Sequence, residues 1–176
     1  MKSYFALLCL IFIAGCSNVF INEPLPESNL SPKEQASITG TWLIEEERVV
    51  HMRFNSKGVP WAVEVLWEGD EFHLVERRLH FSKRDDTLYV STLVDPDRPG
   101  EYVFGEIKLH GDEAYVWGPD IDFFIGQVES GAVEGTFAED ELNVSLETDA
   151  SAILEFISIN SRAIDYKSPL VFRKLK

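Results

Sequence analysis

Four histidines are the side chains of this 176-residue chain that most directly suggest chemistry, because imidazole binds metals and transfers protons near neutral pH. They are His51, His73, His80 and His110. Their spacing contains no His-Glu-x-x-His pattern, and the two cysteines form no Cys-x-x-Cys pattern. His73 and His80 are an odd number of residues apart on one predicted strand and therefore face opposite sides. We expect histidines at the surface or at sheet edges, with no metal site and no other cofactor.

Clustered carboxylates are a second candidate, since hydrolases use two acids held in different environments within a cleft. The clusters are Asp120 with Asp122, and the run Glu139-Asp140-Glu141. Neighbouring acids in loops are usually solvated, and the first pair also precedes a predicted helix, whose N-terminus favours negative charge. The chain contains no Gly-x-Ser-x-Gly motif and no phosphate-binding glycine loop. The sequence therefore predicts that the protein is not an enzyme.

Residues 95–100 together with Glu106 loosely follow the pattern of a calcium-binding loop. Carboxylates stand at positions 1, 3 and 12 of this stretch and a glycine stands at position 6. Pro99 occupies a position that should supply a ligand, and the flanking segments are predicted strands rather than helices. We interpret the stretch as a hairpin loop stiffened by two prolines.

Cys16 has the most specific chemical context in the chain. Lys2 is followed by an apolar run over residues 4–14, then by small residues, which is the layout of a secretory signal peptide. The run is too short to span a bilayer, which needs roughly 20 apolar residues. We therefore predict that residues 1–15 are a cleaved signal peptide. Cys9 would leave with it, so no cysteine pair would remain for a disulfide.

The motif Ile13-Ala14-Gly15-Cys16 resembles the lipobox of bacterial lipoproteins. The resemblance implies that the Cys16 thiol carries a diacylglycerol and that its amino group carries a further acyl chain such as palmitate. Two or more acyl chains anchor a protein stably to a membrane. Ser17 stands where an aspartate would imply retention in the inner membrane, so the resemblance implies the periplasmic side of the outer membrane. The whole chain is also similar to bacterial lipoproteins with no assigned activity.

Composition divides the remaining chain into a tether and one domain. Prolines at 24, 26 and 32 lie among Ser, Asn and Glu, so residues 16–37 are predicted to be the lipidated cysteine and a flexible tether. Ser31-Pro32-Lys33-Glu34 has the form of a capping box and predicts one helical turn before the domain. Residues 38–176 are predicted to form a single domain, which suits their number.

Charge and apolar content restrict the kinds of partner. The formal net charge is −14, which repels nucleic acid and anionic lipid headgroups. Hydrophobic residues make up 45% of the chain, which favours a folded domain over disorder. We therefore expect a membrane-anchored globular protein that does not bind nucleic acid.

From residue 39 the pattern is typical of β-strands, with branched and aromatic residues separated by turn sequences. The predicted strands cover residues 39–46, 48–54, 59–67, 71–81, 87–94, 101–110, 114–117, 132–137, 142–147 and 169–175. Two short helices are predicted, over 121–129 and 149–159, where apolar residues recur at helical spacing. The spacing of the strands predicts a mostly β protein with an antiparallel up-and-down barrel.

Gly40-Thr41-Trp42 at the first predicted strand resembles the Gly-x-Trp signature of lipocalins and the wider calycin group. The resemblance implies a barrel in which Trp42 packs across the closed end. It also implies that a basic residue of the last strand lies over this ring in a cation–π contact. Arg173 stands in the last predicted strand and is our candidate for that residue.

Aromatic residues on successive predicted strands are the remaining candidates for a site. The ligand-binding candidates are Trp61, Trp67, Tyr102, Phe104, Tyr115 and Trp117. If they line a cavity, the barrel holds a small hydrophobic ligand or a lipid. If they fill a core, the protein is a non-enzymatic interaction protein that contacts envelope proteins through its acidic surface. The sequence leaves both hypotheses open.

Overall fold

The computed structural model describes residues 18–45, 48–68, 71–95, 99–137 and 143–176. Residues 1–17, with the predicted signal peptide and Cys16, lie outside these ranges. The strands within them are β1 (Asn18–Ile21), β2 (Gly40–Ile44), β3 (Arg48–Phe54), β4 (Pro60–Glu68), β5 (Glu71–Arg84), β6 (Thr87–Leu93), β7 (Tyr102–His110), β8 (Glu113–Trp117), β9 (Gly135–Phe137), β10 (Asn143–Leu146) and β11 (Leu170–Lys174). The helices there are α1 (Pro32–Ile38), α2 (Ile121–Glu129) and α3 (Ala150–Ile159).

Eight of these strands close into an antiparallel barrel. Their order is β6-β5-β4-β3-β2-β11-β8-β7, and pairing between β6 and β7 completes the ring. Strands β2 to β8 form a meander, while β11 returns to pair with both β2 and β8. The predicted mostly β class and the antiparallel barrel are confirmed. The described chain has three helices rather than the two predicted, because α1 is longer than the single turn expected from its capping sequence.

Helix α1 begins as its sequence predicts. The Ser31 hydroxyl accepts a hydrogen bond from the Glu34 backbone N–H, and the Ser31 N–H donates to the Glu34 carboxylate at 2.7 Å. Lys83 Nζ donates to the same carboxylate at 2.8 Å. Hydrogen bonds from Lys83 and then from Ser31 lower the pKa of Glu34 to about 2. The helix therefore starts at a fixed point on the barrel wall, above the end of β5.

The predicted flexible tether is wrong for the part of it that the structure describes. Strand β1 pairs in parallel with β10, from Asn18 opposite Asn143 to Ile21 opposite Leu146, and Ile21 also pairs with Tyr102 of β7. Farther along, the Leu25 side chain is fully buried and its N–H donates to Ser91 Oγ at 3.1 Å. Prolines favour an extended path, but the apolar residues between them bury enough surface to hold this path against the barrel.

Two hydrophobic cores share the barrel wall. The first fills the barrel and contains Leu30, Ile38, Trp42, Ile44, Val50, Met52, Ala62, Leu79, Phe81, Val90, Ile107, Ala114, Val116, Leu170 and Phe172. The second lies outside the barrel, under α2, α3 and the β1–β10–β9 strands, and contains Val19, Ile21, Leu25, Tyr89, Phe104, Phe124, Val133, Val144, Leu146, Ile153, Leu154, Ile157 and Ala163. The outer faces of β6 and β7 are therefore buried as well as the inner ones, through Tyr89 and Phe104.

Candidate functional site

Trp42 lies inside the barrel at the end that α1 covers. The tryptophan is almost completely buried, and its Nε1 donates to the carbonyl oxygen of Ile38 at 2.8 Å. Lys174 Nζ lies 5.2 Å from the centre of the Trp42 ring, within the range of a cation–π contact. It also donates to the carbonyls of Ser37 at 3.1 Å and Ala36 at 3.3 Å, in the last turn of α1. One lysine thus joins the last strand, the tryptophan and the helix.

The prediction that Arg173 lies over Trp42 is wrong by one residue. Side chains alternate along a strand, and the buried residues Leu170 and Phe172 place the even-numbered positions of β11 inside. Arg173 therefore points outward, where its Nε lies 3.8 Å from a Glu113 carboxylate oxygen. The sequence Arg173-Lys174 offers two adjacent bases, and only the inward-facing one can reach the ring.

Gly40 makes the approach of Lys174 possible. Its φ of +142° is a conformation that residues with a side chain rarely adopt, and an added Cβ would lie 2.5 Å from Lys174 Cε. The glycine at the first position of the Gly-x-Trp pattern therefore has a steric role in this protein, because a side chain there would clash with Lys174.

The barrel interior is filled by its own side chains. The cavity there has a volume of about 30 Å³, which is the space of about one water molecule. Pockets that hold small organic ligands usually measure roughly 300–1,000 Å³. The cavity is lined by Ile38, Trp42, Met52, Ala62, Leu79, Phe81, Val90, Ile107, Leu109, Ala114, Val116 and Phe172.

Residues alternate between the inner and outer faces along β4. Ala62 and Glu64 are completely buried and face the barrel interior, whereas Trp61 and Val65 lie on the outer face. Ala62 borders the same small cavity as Trp42, so a small residue lies beside the tryptophan. The Trp67 side chain lies outside the described part of the structure. The structure therefore does not place Trp61 where a ligand inside the barrel would need it.

The other four ligand-binding candidates also lie on the outer wall. Phe104 is buried there against Phe124 of α2, with ring centres 6.1 Å apart. Tyr115 and Trp117 stack on each other at 6.0 Å, farther along the same wall. Tyr102 makes an edge contact with the His80 ring at 5.9 Å. These aromatic residues stabilise the outer core and the wall, and they do not converge on one cavity.

A buried carboxylate is the feature of the interior that sequence analysis missed. Glu64 lies near the end of the barrel where β3 begins, and its oxygens are 3.8 Å from Arg48 Nη1 and 4.0 Å from Arg77 Nε. Among the described residues, neither oxygen accepts a hydrogen bond. Burial raises the pKa of Glu64, and the two arginines oppose this effect. Alternation along β4 does not by itself say which face lies inside, and a glutamate on an outer face would attract no notice.

Glu27, Arg78 and His80 form the second charged group, on the outside of the barrel wall. Arg78 Nη2 donates to Glu27 Oε1 at 2.9 Å, and His80 Nδ1 lies 2.8 Å from the same oxygen. His80 is buried, contrary to the expected surface position, because the segment containing Glu27 covers it. Burial, and then Arg78, lower the pKa of His80, whereas Glu27 raises it. These groups lie at a cavity of about 160 Å³, whose lining is Glu76, Arg77, Arg78, His80, Thr92, Leu93 and Tyr102.

The carboxylates singled out in the sequence do not form a reactive pair. Asp120 is the N-cap of α2, and its Oδ1 accepts from the Phe123 N–H at 3.0 Å. With Asp122 it borders a cavity of about 230 Å³ that opens where β8 ends, beside Asn18. Residues 139–141 and residues 96–98 of the loop 95–100 lie outside the described ranges. Within those ranges, no three His, Cys, Asp or Glu side chains are grouped closely enough to hold a metal ion.

Comparisons with known proteins assign no family to the chain. No protein-family model matches it, and neither the curated proteins nor the solved structures give a match. Across the described residues, no helix has the length and apolar character needed to cross a membrane.

Replacing Lys174 by methionine tests the contact between the last strand, Trp42 and α1. The change keeps the length of the side chain and removes its charge, so we expect the free energy of unfolding to fall by about 1 kcal/mol. Arg173→Met is the matched control, and we expect a loss below about 0.5 kcal/mol because this base is exposed. Urea denaturation of both variants measures the difference. Equal losses would contradict the assignment of Lys174.

Replacing Glu64 by glutamine tests the buried carboxyl group. Because burial raises its pKa above the ordinary value of 4.5, the folded state keeps a proton that the unfolded chain has already lost. This contribution to stability is fully present below pH 4.5 and is lost as the pH rises through the folded pKa. We therefore expect the wild type to lose stability relative to Glu64→Gln as the pH rises above 4.5.

Urea denaturation of both proteins at a series of pH values measures this effect. Glu76→Gln, on the exposed part of β5, is the control and should follow the wild type at every pH. The free energies of unfolding of the wild type and of Glu64→Gln are compared above pH 4.5. If their difference stays constant, or changes in favour of the wild type, the raised pKa of Glu64 is contradicted.

Proposed function

We propose that this protein is a lipid-anchored bacterial envelope protein that acts by binding other proteins, without enzymatic activity. The observation that carries the proposal is the filled barrel, whose interior cavity of about 30 Å³ is roughly a tenth of the smallest usual ligand pocket. A protein that carried a lipid or another hydrophobic molecule in its barrel would need a much larger space. The barrel is better suited to be a rigid scaffold that presents its outer surface.

The sequence around Cys16 supports the membrane anchor. A positive residue, a short apolar run and Ile13-Ala14-Gly15-Cys16 together resemble the lipoprotein signal, and Ser17 favours the periplasmic side of the outer membrane. Strand β1 begins at Asn18, two residues after the cysteine. Two extended residues span at most about 7 Å, so the acyl chains would hold the folded domain directly against the bilayer surface. A domain held this way can contact only partners that are themselves near the membrane.

The structural partners of the charged groups described above support a binding role over catalysis. Asp120 serves as a helix cap, and Glu64 faces two arginines inside a packed barrel where a substrate has no room. His80 is held by Glu27. Asp120, Glu64 and His80 therefore each have a structural partner in the fold.

Replacing Cys16 by alanine tests the anchor. We expect the wild type to sediment with membranes after a high-salt wash and the Cys16→Ala protein to remain soluble, because the acylated thiol is lost. Cys9→Ala is the matched control and should behave as the wild type. Immunoblots of membrane and soluble fractions measure the distribution. A Cys16→Ala protein that still sediments would contradict the lipid anchor.

Cross-linking in living cells tests the interaction role. An affinity-tagged protein at its normal expression level is treated with formaldehyde, purified under denaturing conditions and analysed by mass spectrometry. We expect reproducible covalent complexes with one or a few envelope proteins. Cells that carry the untagged protein provide the background. Finding no complex above this background would count against the proposed role.

A further inference from the structure

We propose that three aromatic rings on the outer wall, those of Tyr115, Trp117 and Tyr166, lie in the headgroup layer of the membrane that anchors the protein. We call these three residues the aromatic patch. The inference rests on the proposed lipid anchor and names the face of the domain that the anchor turns towards the lipid. It is supported by the contacts of the three rings, by the position of Asn18 beside them and by the charges around them.

The aromatic patch is one continuous surface. The Trp117 ring centre lies 6.0 Å from that of Tyr115 and 5.7 Å from that of Tyr166. Tyr115 and Trp117 point outward from β8, because the alternate residues Ala114 and Val116 are buried in the barrel core. Tyr166 is 50% exposed, and the other two rings are partly exposed. The patch therefore presents aromatic surface to whatever lies outside this part of the barrel.

Hydrogen bonds within the protein satisfy the hydroxyl groups of both tyrosines. Tyr115 Oη donates to Glu113 Oε2 at 2.5 Å, and Tyr166 Oη donates to Glu106 Oε2 at 2.6 Å. The Glu113 carboxylate also lies 3.8 Å from Arg173 Nε. Tryptophan and tyrosine combine an apolar ring with a polar end and are enriched at membrane–water interfaces. Because these hydroxyls already have partners, the rings can leave water without losing a hydrogen bond.

The backbone holds Tyr166 beside Trp117. The Asp165 N–H donates to the Gly118 carbonyl at 3.0 Å, and these two residues directly neighbour the two aromatic ones. The segment that follows α3 is thereby joined to the segment that follows β8. The patch therefore depends on backbone contacts as well as on ring contacts, which gives it a defined shape.

The predicted lipid attachment lies close to the aromatic patch. Asn18, the first residue of β1, borders the same cavity as Gly118, which directly follows Trp117. The residues on both sides of Tyr166 also line this cavity. Cys16 precedes Asn18 by two residues, which span at most about 7 Å. The acyl chains of the proposed anchor would therefore enter the bilayer beside the patch.

Exposed lysines border the aromatic patch. Lys108 of β7 is paired opposite Tyr115, and Lys167 directly follows Tyr166. Long basic side chains lay their apolar part along a ring surface and extend their charged end towards lipid phosphates. The chain as a whole carries −14, so anionic headgroups repel it. Lysines on the face that meets the lipid reduce this repulsion where contact occurs.

The short connection to the anchor favours lipid over protein as the occupant of the aromatic patch. A protein partner or a second copy on this face would have to enter between the domain and the bilayer, within the reach of two residues. The outer face of β4 lies four strands away in the ring of eight, on the opposite side of the barrel. Trp61 of that face would point away from the membrane, where protein partners can approach.

Quenching of tryptophan fluorescence by brominated lipids tests the inference. The full chain is produced in bacterial cells, purified with its acyl chains and reconstituted into vesicles of phosphatidylethanolamine and phosphatidylglycerol. The vesicles carry bromine near the headgroup end of their acyl chains, or carry none. A Trp61→Phe/Trp67→Phe protein keeps Trp117 and the buried Trp42. The matched control, Trp67→Phe/Trp117→Phe, keeps Trp61 and Trp42, and the triple variant measures Trp42 alone.

We expect bromine to lower the Trp117 emission at least twofold and to leave the Trp61 emission unchanged, because only Trp117 would lie in the headgroup layer. Circular dichroism of each variant verifies that the barrel is folded.

Three results would overturn the inference. If the protein sediments with the vesicles but Trp117 is not quenched, the anchor stands and another face meets the lipid, or a second copy covers the patch. Equal quenching of Trp117 and Trp61 would show that the domain has no fixed orientation on the membrane. A protein that carries no acyl chains by mass spectrometry and does not sediment would overturn the proposed anchor, and this inference with it.

Discussion

The packing of large side chains into an eight-stranded barrel is the constraint on which the rest of this structure depends. The interior of an eight-stranded barrel is just wide enough to be filled by side chains. If the interior side chains are small, it can hold one small ligand instead. Trp42 takes a large share of that space, and its position is fixed by the Ile38 carbonyl, by Lys174 and by the close approach that Gly40 permits. On β4, Ala62 and Glu64 face the interior, and Ala62 borders the small cavity beside the tryptophan.

Filling the interior in this way has consequences for the outer wall. Aromatic residues that find no room inside are placed on the outer faces of β7 and β8, where Phe104 needs a cover of its own. Helices α2 and α3 and the β1–β10–β9 strands provide that cover, which is why the segment after Cys16 is folded against the barrel. The same outward arrangement leaves Phe72 and Leu74 exposed where β5 extends past β6. A packed interior and exposed apolar residues on the outer wall are thus two results of one distribution of side chains.

Local patterns predicted most of the elements, because strands, turns and helix caps depend on neighbouring residues. The ten predicted strands and both predicted helices are present, and the Ser31 capping box forms as its sequence indicates.

Features that depend on contacts between residues far apart in the sequence could not be predicted in the same way. Alternation along β4 divides its residues into two faces but does not say which face lies inside the barrel. That depends on how the other strands pack against β4. The burial of Val19, Ile21 and Leu25 depends on β10 and β6, more than 60 residues away, so a proline-rich segment was interpreted as a tether. Glu64 and the contacts of Glu27 with Arg78 and His80 were missed for the same reason, as their partners come together only in the fold.

The interior of the barrel is filled by its own side chains, and the proposed function requires that no small molecule is bound there. Native mass spectrometry of the mature protein, purified without its acyl chains from the envelope of its own cells, tests this directly. We expect the mass of the polypeptide alone. A mass increment of a few hundred daltons that denaturation releases would show a bound ligand and would contradict a filled barrel.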